Sequence, residues 1–260
     1  MAIRFSPAYH ACPRMPNEPP ILFFSDAHFG AHGPTREAEK TRRFVTFLHH
    51  AHSLGAEVFF LGDLFDFWFE YKHWIPKHDV AITAAIREFT DAGGTFHLLI
   101  GNHDCWARDY FEKALGMTVH REDVTMVRQG LRLFLSHGDG KAPSDRGYRL
   151  LRRVLRSRLS IWLYRQIPAD WAFKLANFSS GRSRELTRRR PKEFLEEYDV
   201  AIAKILQSSF DAVIMGHVHE GWVKRLGSGW SVNTGDWYET FGYAVLENGE
   251  FRAERWTVQE

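Results

Sequence analysis

The sequence predicts a mixed α/β fold, and three features carry that prediction. Up to about residue 115, short apolar runs of strand length alternate with stretches of helical periodicity, the pattern of βαβ units. Further on, the runs are joined by the turn sequences Gln129-Gly130 and Asn248-Gly249, which turns the α/β pattern towards the antiparallel pairing of an α+β chain. Between these regions lies a helical segment rich in arginine. At 260 residues and 44% hydrophobic content the chain has ample material for a core, as one domain with an insertion or as two small ones.

Residues 1–19 hold Pro13, Pro16 and Pro19 but no apolar block, so they read as a loose leader without the centre of a secretory signal. Ile21-Leu22-Phe23-Phe24 is the first strand and opens into Ser25-Asp26-Ala27-His28. From Thr35 to Leu54, apolar positions at Phe44, Val45, Phe47, Leu48 and Leu54 form the face of a crossover helix. Val58-Phe59-Phe60-Leu61 then runs into Gly62-Asp63-Leu64-Phe65-Asp66. Asp79 to Ala92 repeats the helical pattern, with Gly93-Gly94 as its stop, and His97-Leu98-Leu99-Ile100 leads to Gly101-Asn102-His103-Asp104. A short helix from Asp109 to Leu115 closes at Gly116. Val124 to Val127 and Leu131 to Leu135 form a hairpin, whose second strand opens into Ser136-His137-Gly138-Asp139.

The middle of the chain differs in kind. Tyr148, Leu151, Leu155, Leu159 and Trp162 recur at spacings of three and four, which predicts one helix with an apolar stripe. Its other faces carry Arg149, Arg152, Arg153, Arg156 and Arg158. Either the stripe packs on neighbouring helices, or it meets an apolar ligand or a membrane. Trp171 to Phe178 and Lys192 to Leu206 are further helical stretches, with Pro168 and Pro191 as starts. Ala212-Val213-Ile214-Met215 then opens into Gly216-His217-Val218-His219, and short strands follow over Trp222–Leu226, Trp230–Thr234, Gly242–Leu246 and Glu250–Val258. The expected division is a core over 20–140 and 208–260, interrupted by a basic, amphipathic insertion over 141–207.

The formal charge is only +2, but from Lys141 to Lys192 fifteen Lys and Arg stand against three acids. That local excess of +12 leaves −10 for the rest, an asymmetry suited to phosphates, nucleic acid or anionic lipid, or to a solvated helix face. No stretch approaches the roughly 18 to 20 apolar residues that span a bilayer. Cys12 and Cys105 make no disulfide framework, which points to a reducing cytoplasm.

One Asp at the end of a strand is ordinary turn chemistry. Here five apolar runs end in Asp, Asn or His, and the expectation is that they deliver these groups to one edge of a sheet, where α/β folds bind ligands. Carboxylate oxygen, amide oxygen and imidazole nitrogen are the donors that divalent metals take. Asp26 and His28 project from one loop, Asp63 is able to bridge two ions, and Asn102, His137, His217 and His219 complete two coordination shells. The lack of Cys ligands argues against structural zinc and for Mn²⁺, with Mg²⁺ or Fe²⁺ as alternatives.

The ordered motifs D-x-H, G-D, G-N-H-D, H-G-D and G-H-x-H resemble those of the calcineurin-like metallophosphoesterases, over Ile21 to about Asp236. The phrases Gly62-Asp63-Leu64-Phe65-Asp66-Phe67-Trp68 and His137-Gly138-Asp139 with Asp145 and Tyr148, before a helical insertion, are most similar to the UDP-2,3-diacylglucosamine pyrophosphohydrolases of lipid A synthesis. The resemblance implies a β-sandwich flanked by helices with a helical lid. It implies one metal on Asp26, His28, Asp63 and His219 and another on Asp63, Asn102, His137 and His217. Substrate contacts then map onto Asn102, His103, Asp145, Tyr148, Ser183 and His217, and onto Thr187 and Arg190, where the family pattern has Asn and Lys. On this resemblance two ions acidify a water and neutralise charge growing on a phosphorus, and His103, oriented by Asp104, stabilises that charge or protonates a leaving oxygen; some relatives carry Arg in place of His103. The implied reaction is hydrolysis at the α-phosphate of the UDP-sugar, in the cytoplasm and peripherally at the inner membrane, with the insertion meeting both acyl chains and an anionic surface.

Rival readings are a phosphodiesterase or phosphatase acting on nucleotides or phosphoproteins, a binding scaffold, and a nucleic-acid-binding phosphoesterase. A scaffold would have lost ligands, and none is missing. The +12 segment holds few aromatics outside its stripe to stack on bases, which argues against nucleic acid.

Overall fold

The computed structural model describes residues 18–76, 80–176 and 192–258. Strand β1 (Ile21–Phe24) is buried along its whole length, because alternate side chains of an all-apolar run face two different layers. Leu22 and Phe24 meet helices, whereas Ile21 and Phe23 meet a second sheet. The same alternation holds in β2 (Glu57–Phe60) and β3 (Thr95–Leu99), which pair in parallel beside β1 and are followed by β4 (Thr118–His120). Helices α1 (Pro34–Ser53), α2 (Val80–Asp91) and α3 (Tyr110–Leu115) cover the outer face of this sheet, burying Phe44, Phe47, Ile86, Phe89 and Phe111. Gly116 ends α3 in the left-handed conformation.

The second sheet begins with the hairpin β5 (Val124–Arg128) and β6 (Leu131–Leu135). It continues through β7 (Ala212–Met215), β8 (Gly221–Leu226) and β9 (Gly229–Thr234), in the order β5-β6-β7-β9-β8. Strands β10 (Gly242–Glu247) and β11 (Glu250–Arg255) return to the first sheet, giving β11-β10-β1-β2-β3-β4. Leu133, Leu135, Ala212, Ile214 and Val232 fill the space between the sheets against Phe23, Phe59 and Leu99. Helix α7 (Lys192–Leu206) closes the far face through Phe194, Tyr198 and Ile202. The result is a sandwich of two sheets between helical layers, as expected.

Four expectations change. The five strand ends do not share one sheet: β1, β2 and β3 belong to the first, β6 and β7 to the second, and their ends converge where the sheets meet. Strand β4 has no signal in the sequence, because three half-exposed residues carry no resolvable period. The single helix expected across Tyr148 to Trp162 is two, α4 (Arg146–Leu155) and α5 (Arg158–Tyr164), since the Ser157 hydroxyl accepts from Ser160 N and caps a new helix. Helix α7 packs on β7, so the segment expected as insertion over 141–207 contains a helix of the sandwich. The helical turns over residues 169–176 form α6, as far as the described residues run.

Helices α4 and α5 are held in different ways. Tyr164 and Ile161 of α5 join Phe67, Phe69 and Trp106 in an aromatic cluster. No residue of α4 is buried, and some of the arginines in and just after it reach back to the site loops: Arg149 donates to the carbonyls of Gly140 and Ala142, and Arg156, the next residue after the helix, to that of Gly101. Leu150, Leu151 and Val154 are exposed instead. Of the loose leader, Glu18 and Pro19 are tied to Gln129 at the β5–β6 turn. No helix among the described residues is long and apolar enough to cross a membrane.

Candidate metal centre

The loops after β1, β2 and β7 are bent by backbone that L-residues rarely adopt. Asp26, His28, Asp63, His217 and His219 all have positive φ, between 45° and 72°. Such conformations cost about 1 to 3 kcal/mol each and persist where the surroundings hold them. Here the loops hold one another: Asp26 N donates to Gly62 O, His28 N to Asp63 O, and His217 N to an Asp26 carboxylate oxygen at 2.8 Å. A Cβ on Gly101 would collide with the Asp63 carboxylate, and one on Gly216 with Ser25, so both positions require glycine for close approach.

The seven expected ligands come together in two clusters. In the first, His219 Nε2 lies 3.2 Å from Asp26 Oδ1 and 3.4 Å from His28 Nε2. In the second, His137 Nε2 lies 3.5 Å from Asp63 Oδ2, 3.1 Å from Asn102 Oδ1 and 3.3 Å from His217 Nδ1. Asp63 also stands 3.9 Å from His28 Nε2, so its carboxylate faces both clusters. A third grouping, His28, Asp63 and His103, brings His103 within reach of the same centre.

Burial alone would push the Asp63 carboxyl up, yet His137, His103 and His28 hold it well below the usual carboxylate range. Burial likewise pushes His137 down, but Asp63 and Asp26 outweigh it and raise His137 to about 10. His217, buried beside His137, is pushed down to about 3. The cluster thus demands positive charge at its heart, as two fully buried carboxylates must. Carboxylate, amide and imidazole donors without thiolate fit a divalent cation there, and its binding would displace protons.

The orientation of His103 departs from expectation. Its Nδ1 donates to the Asp66 carbonyl at 2.7 Å, while both Asp104 oxygens accept from backbone, Oδ1 from Gly101 N and Oδ2 from Leu64 N. Asp66, rather than Asp104, fixes the His103 ring, because the buried Asp104 is consumed in tying the Asp63 and Asn102 loops together. Burial and the nearby Asp63 raise the Asp104 carboxyl to about 7. Tyr148 reaches the site indirectly, donating to Asp139 at 3.0 Å, and Asp145 stands at the start of α4. Ser183, Thr187 and Arg190 lie outside the described residues.

Three contributors carried no signal of their own. The Tyr238 hydroxyl lies 3.0 Å from His219 Nδ1, and fully buried Lys40 donates to the His28 carbonyl and to Glu37, both at 2.9 Å. Asp66, three residues beyond Asp63, stood in plain view in the sequence, but nothing in the spacing suggested that it would hold the His103 ring.

With this geometry, the match of residues 19–221 to the family model described as calcineurin-like phosphoesterase is decisive. A UDP-2,3-diacylglucosamine hydrolase of Pseudomonas fluorescens strain Pf0-1 is 30% identical over 88% of this chain and 93% of its own length. The chain belongs to the calcineurin-like phosphoesterases, among the UDP-2,3-diacylglucosamine hydrolases. A relative of that name from Porphyromonas gingivalis is 33% identical over 65% of either chain, just under two thirds of its length. One from Pseudomonas fluorescens strain SBW25 is 29% identical over 79% of this chain and 81% of its own. As a member of this family with clustered Asp and His donors, the protein is a hydrolase that uses divalent metal.

Proposed function

We propose that the protein cleaves the pyrophosphate of a UDP-linked, diacylated glucosamine at the α-phosphate, giving UMP and the sugar 1-phosphate. The observation that carries this reading is the pairing of two buried donor clusters, joined at Asp63, with a neighbouring helix whose apolar face is open. Asp26, His28 and His219 would hold one ion, Asn102, His137 and His217 the other, with Asp63 between them. Mn²⁺ suits that mixed oxygen and imidazole set. When bound, such ions supply an acidified water and neutralise charge on the phosphoryl oxygens.

The protein's own groups do the rest. The Nδ1 proton of His103 is committed to the Asp66 carbonyl, which turns Nε2 towards the centre, 3.8 Å from Asp63 Oδ2. In its doubly protonated form the ring would also donate from Nε2 to a phosphoryl oxygen. The leaving group is a phosphate, whose second pKa of about 6 lets it depart as an anion, so His103 serves as charge stabiliser rather than as obligatory acid. Tyr238 holds the His219 ring through Nδ1, and Lys40 holds the His28 backbone.

Leu151, Leu155, Leu159 and Trp162 are 51%, 40%, 65% and 56% exposed, which favours acyl or membrane contact over packing for the stripe. Exposed Arg146, Arg153 and Arg158 beside it suit an anionic bilayer, consistent with a cytoplasmic protein peripheral to the inner membrane. Each methylene sheltered contributes about 0.8 kcal/mol, so Leu155→Ser with Leu159→Ser should raise KM for the diacyl substrate and spare bis-p-nitrophenyl phosphate. Equal kcat/KM on diacylated and deacylated UDP-sugars would sink the lipid reading in favour of a general phosphodiesterase.

A further inference from the structure

Asp139 is outside the donor clusters, yet it is a carboxylate only 3% exposed, two residues beyond His137. Its partners come from one face of α4 and the residue after it. Tyr148 Oη donates to Oδ2 at 3.0 Å, Arg152 Nη1 lies 3.3 Å from Oδ1 and donates to the Asp139 carbonyl at 3.1 Å, and Arg156 Nη2 lies 3.9 Å from Oδ2. Arg156 also reaches the Gly101 carbonyl, beside Asn102. Since α4 buries no side chain, apolar packing does not fix its position. Besides Trp106, which donates to the Leu155 carbonyl, the helix is held by Tyr148 and by arginines aimed at the loop that carries His137.

We propose that Asp139 is a positioning residue: it fastens α4 to the His137 loop, so that the open apolar face of the helix stands at a set distance from the donor clusters. It thereby governs binding of the acylated substrate without taking part in hydrolysis. This rests on the lipid-linked substrate proposed above. A buried carboxylate with two guanidinium partners makes a directional tether, because displacing the helix strands the charge.

The test uses the full-length, Mn²⁺-loaded protein with Asp139→Asn, Arg152→Gln and the double variant. Each single change should raise KM for UDP-diacylglucosamine by about 10-fold to 100-fold, the loss of one charge-assisted contact, and the double variant should be no worse than the weaker single. Metal content by elemental analysis and kcat on bis-p-nitrophenyl phosphate should stay within about twofold of wild type, and amide exchange over 146–155 should quicken. Loss of metal with both activities falling together would overturn the proposal, since Asp139 would then be supporting His137. Unchanged exchange over 146–155 would overturn it too, and Arg152→Gln gives that readout even if Asp139→Asn fails to fold. If wild type ignores the acyl chains, the substrate reading fails by itself, while the exchange data still decide whether the tether exists.

Discussion

Asp63 shows how much one residue concentrates: it is buried, stands on left-handed backbone, and faces His28, His103 and His137 within 4 Å. Its importance was legible because a strand ended there, and the same holds for Asp26, Asn102, His137, His217 and His219. Asp63→Ala or Asn102→Ala should abolish turnover with the fold intact by circular dichroism. More than about a tenth of wild-type activity in excess Mn²⁺ would contradict two ions joined at Asp63, since several kcal/mol of transition-state stabilisation should be gone. His103→Ala should lower kcat by about 100-fold and leave bound metal unchanged; loss of an ion in elemental analysis would make His103 a ligand instead. Lys40 was illegible, because a lysine in a charged helix looks like solvated surface. It is fully buried, and Lys40→Met should weaken metal binding as the His28 loop loses its anchor, and destabilise the fold by roughly 3 kcal/mol in urea melts.

At the scale of elements, sequence periodicity located the insertion helices but left open which way the stripe of α4 faces. A hydrophobic stripe is ordinarily taken to face the core, because apolar burial is the usual source of packing energy. In α4 the core-facing partners are carbonyl oxygens and Asp139, which Tyr148 and the arginines satisfy, so the leucines are left outside. Nothing in helical spacing distinguishes those two arrangements. They predict different outcomes: with its leucines exposed, Leu150→Ser with Val154→Ser should leave the melting temperature nearly unchanged. The same pair should reduce sedimentation with vesicles rich in anionic lipid, and wild-type binding should fall as salt rises. A clear drop in melting temperature without loss of vesicle binding would restore the packed reading.

At the scale of the whole molecule, every strand but β4 was legible in itself but the partition into two sheets was not, because strand order depends on contacts between residues far apart in the chain. One such contact links the sheets at the edge opposite the metal centre. Glu57 at the start of β2 accepts from both Arg128 of β5, at 2.9 and 3.1 Å, and His97 of β3, at 2.9 Å, while His97 Nδ1 faces His120 Nε2 of β4. Burial would raise the Glu57 carboxyl, but His97 and Arg128 overcome it and bring Glu57 down to about 2 from an ordinary 4.5. A carboxyl lowered in the folded state adds stability that is whole above about pH 4.5 and disappears as pH falls towards about 2. Metal-free wild type and Glu57→Gln, unfolded by urea at a series of pH values, should therefore differ most near neutrality and converge through that window. The change should reach up to about 3 kcal/mol, and Arg128→Ala should shrink it. Metal-ligand protonation is common to both proteins and cancels in the difference. A gap that stayed constant from pH 6 to pH 2.5 would mean that Glu57 titrates as it does in the unfolded chain, and that the two sheets are joined by their apolar interface alone.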